Sequence, residues 1–191
     1  MAADETPDYI VIEELNDIEI RDYPPMLLAS VIVSGDRQEA ANKAFQILAG
    51  FIFGDNQADD TIAMTAPVTQ ARSEKIDMTA PVTQASTGEN EWRVDFMMPS
   101  KYSMESLPKP NDPRIAISET APYRAVAISF SGRHTDKNFD KHQAELDALI
   151  NERRLITEGP AQFAYYDGPF TAPFLRRNEI IYRLAAIASS G

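Results

Sequence analysis

Only two histidines, His134 and His142, stand in a chain that has no cysteine, and with seven methionines and seven tyrosines they are its candidate axial ligands for an iron centre. A neutral imidazole is a strong ligand for iron or zinc and a general base near neutral pH. Thioether and phenolate groups are more specialised iron ligands. Two histidines eight residues apart cannot form a His-rich metal cluster. The absence of Cys excludes disulfides, thiolate ligands, Cys nucleophiles and thioether-attached haem. A Gly-rich phosphate loop, a Gly-x-Ser-x-Gly elbow and a His-Glu-x-x-His zinc pair are also missing. Carboxylates are numerous, but they lie where a solvated surface would place them, and no pair stands out as acid and base. The residue types therefore favour binding over hydrolytic or covalent catalysis.

The 191 residues include 18 Lys and Arg against 29 Asp and Glu, a net charge of −11, the profile of a soluble globular protein. Folded as one unit, such a chain buries roughly 70% of its unfolded surface and requires no staple. The negative balance argues against nucleic acid, whose phosphates demand clustered Lys and Arg. No apolar run of about 18 residues exists to span a membrane. Met1-Ala2-Ala3-Asp4 has no basic or apolar leader region, as expected of a cytoplasmic chain, or of a periplasmic one whose signal peptide has been removed.

The elements that must position these groups read as two similar halves. At an offset of 97 residues, Ile18, Ile20 and Pro25 fall on Ile115, Ile117 and Pro122, and Val31–Gly35 falls on Ile128–Gly132. Each half then has an alternating strand that ends in Ser-Gly before a helix, which either reflects internal duplication or two unrelated strand-turn-helix units. Tyr9–Ile12, Ile18–Tyr23 and Leu27–Val33 alternate like strands. Asp36 and Glu39 form a capped helix start, and Ala41, Ala44, Phe45, Leu48, Ala49 and Ile52 share one face before Gly54. A second helix, capped by Thr135, carries Phe139, Leu146, Leu149 and Ile150 inward and ends near Arg153 and Arg154. Extended runs are expected at Thr61–Gln70, Lys75–Gln84 and Glu91–Met98, a loop at Ser100–Pro113, and sheet-closing strands at Gln162–Asp167 and Glu179–Leu184. Met-Thr-Ala-Pro-Val-Thr-Gln occurs twice, at Met64–Gln70 and Met78–Gln84. Pro67 and Pro81 place each copy at a strand entry, bulge or edge. A single domain is expected over residues 9–185, with halves at about 9–99 and 114–185 and flexible termini at 1–8 and 186–191.

The doubled Met-Thr-Ala-Pro-Val, Ile18-Glu19-Ile20-Arg21-Asp22-Tyr23, Phe53-Gly54-Asp55-Asn56, Trp92-Arg93-Val94, Leu107-Pro108-Lys109-Pro110, Tyr165-Tyr166-Asp167 and Arg176-Arg177-Asn178-Glu179 follow one another in a specific order. Together they resemble the SOUL haem-binding protein family, in its bacterial form, from about Tyr9 to Leu184. The resemblance implies an α+β fold, a distorted antiparallel β-barrel of two pseudo-symmetric halves, each with one long α-helix packed outside. It also implies non-covalent binding of haem or a related tetrapyrrole in an apolar cleft, for carriage, buffering or scavenging, by a monomer or a haem-linked dimer. Such a flat apolar plate needs aliphatic and aromatic walls and cations for its propionates.

Carried over residue by residue, the resemblance is incomplete. Asp22 stands where some members place a ligating His after the Glu-x-Arg motif, and Asn42, Gly50 and Ala172 stand where others carry basic residues. The cleft is expected from Asn42, Phe45, Leu48, Ala49 and Ile52 of the first helix against Pro173 and Phe174, unless the helical stripe packs wholly onto the sheet. Arg176 and Arg177 either meet propionates or pair with acidic neighbours. His142, 97 residues after Phe45, and His134, beside Arg133, are the candidate iron ligands. The alternatives are a partly buried helix histidine and an exposed loop residue. Met64 and Met78 read as packing residues, and Tyr23, Tyr165 and Tyr166 either as strand-packing aromatics or phenolate ligands. Two other functions stay open. One is a binding module for other hydrophobic molecules, with an acidic residue facing cationic ligands. The other is a haem-dependent enzyme with His134 and Arg133 as distal groups.

Overall fold

The computed structural model describes residues 5–58, 73–168 and 170–185. Strands β1 (Ile10–Leu15), β2 (Ile18–Tyr23) and β3 (Leu27–Ser34) lead into helix α1 (Arg37–Ile52). A two-residue strand β4 (Asn56–Gln57) is followed by β5 (Val82–Gly88), β6 (Glu91–Met97) and a second short strand, β7 (Lys109–Pro110). β8 (Ala116–Glu119), β9 (Tyr123–Phe130), helix α2 (Asp136–Arg153), β10 (Thr157–Tyr165), a 3₁₀ turn at Pro173–Leu175 and β11 (Asn178–Leu184) complete the order. None of the described helices is long and apolar enough to cross a membrane.

Nine strands form one antiparallel sheet in the order β1-β2-β9-β11-β10-β5-β6-β3-β8. Without β1, the order reads the same from both ends once β2 is matched with β8, β3 with β9, β5 with β10 and β6 with β11. The first strand of each half thus pairs into the other half. The register follows the 97-residue offset: Glu19 pairs with Ala127 as Ala116 pairs with Ser30, and Ile20 with Val126 as Ile117 with Ala29. The offset fails beyond the helices, because residues 53–81 separate α1 from β5 whereas residues 154–156 separate α2 from β10.

The expected α+β class and antiparallel pairing with a long helix in each half hold. The sheet is not closed among the described residues, where β1 and β8 are its two ends and do not pair with each other, so the expected distorted barrel is not confirmed. Lys75–Gln84 becomes strand only from Val82, after Pro81, and β10 starts at Thr157, well before Gln162. A bulge between Glu158 and Gln162 accommodates Gly159, at φ 74°, and Pro160. Of the two heptapeptides, Met64–Gln70 lies outside the described residues. So do residues 1–4 and 186–191 of the expected flexible termini, while Glu5 bridges Thr79.

Both helices lie on one face of the sheet. α1 buries Ala44, Leu48, Phe51 and Ile52 against Leu27, Ala29 and Val31 of β3 and Val94 and Phe96 of β6. α2 buries Phe139 and Leu146 against Val126, Ile128 and Ile180. Each such large side chain contributes about 1.5–3 kcal/mol through the apolar area removed from water. The strand period of two sends alternate residues, including Tyr23, Ala125, Ala127, Ala164 and Ile181, to the opposite face. Both helices start at side-chain caps: Asp36 Oδ1 accepts from Glu39 N at 2.8 Å, and Thr135 Oγ1 from Asn138 N at 3.4 Å. Asp36→Ala is expected to cost about 1 kcal/mol, read as a lower urea midpoint at unchanged slope.

Candidate functional site

The helices begin side by side. Arg37 Nη2, in the first turn of α1, meets Asp136 Oδ1 of α2 at 2.5 Å, and the guanidinium lies 4.5 Å from the Phe139 ring centre. His134, two residues before α2, sets its ring edge-on to Tyr165 at 5.0 Å. Burial, reinforced by the nearby positive charge of Arg176, pushes the His134 imidazole below its ordinary pKa, so it is neutral at pH 7. Its Nε2 is buried beside Asn178 and makes no hydrogen bond of good geometry among the described residues, and the same holds for Asn178 Oδ1. That nitrogen is therefore closed to an iron approaching from outside.

His142 is presented differently. It sits on α2 with its ring stacked on Phe130 at 4.0 Å and 7°, and its Nδ1 lies 2.7 Å from the Asn138 carbonyl oxygen. A carbonyl only accepts, so Nδ1 carries the proton and Nε2 holds the lone pair. Nε2 makes no hydrogen bond to a described residue. A ring fixed through one nitrogen with a lone pair free on the other is how proteins orient metal-ligating histidines.

The loop before β11 carries Phe170, Phe174 and Leu175, which are 101%, 75% and 67% exposed. It is tied to the β9–α2 corner, since Gly132 N donates to the Pro173 carbonyl at 2.9 Å, and Arg176 Nε returns to the Thr171 carbonyl at 2.8 Å. Phe130, the support of His142, is two residues before Gly132.

The expected cleft on α1 is not assembled. Leu48, Ala49 and Ile52 are buried, Leu48 and Ile52 within the first-half core, so the stripe packs onto the sheet rather than walling a cavity. Asn42 is exposed, and Phe45 is half-exposed with its ring tilted against Phe96 at 5.6 Å. Pro173 and Phe174 belong to the α2 half, and no hydrogen bond or ring contact joins them to Phe45 among the described residues. Asp22 is held by Arg124 at 2.7 and 2.8 Å. Met78 packs against the first-half core.

Arg177 leaves the corner altogether, because it follows Arg176 by one residue and turns to the sheet face opposite the helices. There Glu179, fully buried, accepts Arg21 Nη1 on Oε2 and Nη2 on Oε1, both at 2.9 Å. Oε1 also accepts Ser129 Oγ and Arg177 Nη2, each at 2.8 Å, and Oε2 accepts the Tyr166 hydroxyl at 2.8 Å. Arg21 donates further to Glu19 at 2.6 Å and stacks 4.2 Å above Tyr9. Burial pushes the Glu179 carboxyl upward, but the Arg21 and Arg177 guanidiniums outweigh it and hold the pKa below the ordinary carboxylate value. Burial also raises the Tyr23, Tyr165 and Tyr166 phenols, which stay protonated and are poor iron ligands. Glu-x-Arg-x-Tyr and Arg-Arg-Asn-Glu, two strings that carried the family resemblance, therefore meet in one buried ion-pair network.

The sequence profile of the SOUL heme-binding proteins matches residues 4–74 and 69–183. The chain belongs to the SOUL haem-binding family. A mouse relative, Heme-binding protein 2, is 26% identical over 166 residues, covering 85% of this chain and 75% of that protein. Among solved structures, the C-terminal domain of EcmrR superposes with a TM-score of 0.61 at 12% identity, covering 89% of this chain and 98% of that one. A hydrolase from Listeria innocua gives 0.55 at 12%, covering 96% and 94%. At such identity these two likenesses establish the fold and nothing about activity. The described residues contain no cluster of three or more metal-ligating side chains. Haem iron is held by one or two axial ligands.

Proposed function

We propose that this SOUL-family chain binds haem or a related tetrapyrrole non-covalently at the α2 corner, for carriage, buffering or scavenging. The observation that carries the reading is His142, whose Nε2 lone pair is free on a ring fixed by Phe130 and the Asn138 carbonyl. Exposed Phe174 and Leu175 supply an apolar wall for a flat ring, while Arg133 and Arg176 supply cations for propionates. The family profile and the name of the mouse relative support the ligand class. Bound haem would supply an iron centre whose protein ligand is imidazole; the chain's own part is to orient that imidazole and shield one porphyrin face. The equivalent registers of the two halves support an origin by internal duplication. Titration of the purified chain with hemin is expected to give a shifted Soret band that saturates at one equivalent. Broad absorbance that rises without saturation would refute the reading and favour a module for other lipophiles.

A further inference from the structure

The sheet face opposite the helices contains a second, separate opening. Between the halves lies a cavity of about 40 Å³ whose wall includes Tyr23, Tyr123, Tyr166, Ile181 and Arg183. Pro7, Met26 and Met97 line both this cavity and a larger one of about 230 Å³, so the two chambers share a wall beneath the N-terminal segment. The outer chamber is walled by Pro24, Leu27, Met98 and Tyr102 and rimmed by Glu5, Asp8 and Glu119.

The charges in the inner chamber are unequal. Its one carboxylate, Asp95, is already bound by Arg93 at 2.7 Å. Glu179, nearby on the same strand face as Arg183, is saturated by Arg21, Arg177, Ser129 and Tyr166. Among the described residues Arg183 has no carboxylate partner. Its guanidinium carbon lies 4.1 Å from the centre of the Tyr123 ring, whose phenol it also faces, its Nε is buried without an acceptor among the described residues, and Glu158, directly across the ladder, forms no ion pair with it. A buried guanidinium N–H without an acceptor costs free energy that an incoming carboxylate would recover through a charge-assisted hydrogen bond.

From this arrangement we infer that the two chambers form a binding site for an aliphatic monocarboxylate, with its head on Arg183 and its chain passing Pro7, Met26 and Met97 into the outer chamber. The inner chamber is too small for more than the head and the first carbons. The acidic rim repels an anionic head and so fixes the orientation, head inward. The site lies on the sheet face away from His142 and does not depend on haem binding there.

Calorimetric titration of the full chain with sodium octanoate, octylamine and octanol tests the site. Octanoate is expected to bind saturably and at least tenfold more tightly than the other two. Arg183→Gln is expected to weaken octanoate at least tenfold and to leave the hemin titration unchanged. Arg183→Lys, which keeps the charge but loses the fork, should fall between. Met26→Phe, placed in the shared wall, is expected to abolish octanoate binding with Arg183 intact, so the site remains testable should the Arg183 variants fold poorly. Octylamine binding as tightly as octanoate would overturn the inference. So would the absence of saturable octanoate binding, or wild-type octanoate affinity in folded Arg183→Gln.

Discussion

Glu179→Ala is expected to lower the unfolding free energy by about 3–5 kcal/mol, because it strands the buried positive charge of Arg21. The carboxylate accepts six hydrogen bonds, from Arg21 twice, Arg177 twice, Ser129 and Tyr166, at distances between 2.8 and 3.2 Å. Arg21 is 1% exposed in its side chain, and Glu19 alone would remain as its carboxylate partner. Arg177→Ala is expected to cost much less, since that side chain is 41% exposed and water replaces its contacts. Replacing Arg21 and Glu179 together by Met and Leu is expected to restore much of the loss, as apolar packing substitutes for a buried pair. Urea unfolding of the three variants reads these differences directly. The same network sets an acid limit. The folded pKa of Glu179 is held below the ordinary 4.5, so its stabilisation is complete above that pH and is lost as pH falls through the depressed value. A urea midpoint flat from pH 7 down to pH 2 would contradict this.

His142→Ala is expected to abolish the histidine-ligated haem spectrum and weaken haem binding at least tenfold, while scarcely changing stability. The ring is only partly buried and its one hydrogen bond returns to its own helix, so truncation loses the stack on Phe130 and little else. His134→Ala should leave the spectrum intact, since the His134 Nε2 faces inward among buried groups. Free imidazole is expected to restore the Soret position in His142→Ala and in no other variant. Rescue of that kind distinguishes an axial ligand from a residue that merely packs the corner.

The elements of this fold were largely legible because period, caps and prolines act locally. Asp36 with Glu39, and Thr135, announced both helix starts, and the alternation in Ile18–Tyr23 gave β2 with its observed ends. The 97-residue offset was legible too, and the register obeys it pair by pair. The α1 stripe is ambiguous in sequence for a physical reason: Leu48 and Ile52 share a face whether that face meets a ligand or a sheet, and only the packing shows that it meets Leu27, Ala29 and Val31. Barrel closure was an inference from family likeness, and pairing across β1 and β8 is not written in either strand. The Arg21–Glu179 pair, 158 residues apart in sequence, could be found only as two strings of the family resemblance; neither string names its partner. One alternation decided the two adjacent arginines, Arg176 going to the helix face and Arg177 to the other.

The most direct measurement is a pair of hemin titrations, wild type and His142→Ala, followed in the Soret region with and without imidazole. Saturation at one equivalent with a histidine-type Soret band, lost in His142→Ala and recovered with imidazole, is the predicted result. A saturable wild-type spectrum that His142→Ala leaves unchanged would contradict the assignment of His142 as the ligand, and absorbance without saturation in both would contradict haem binding itself.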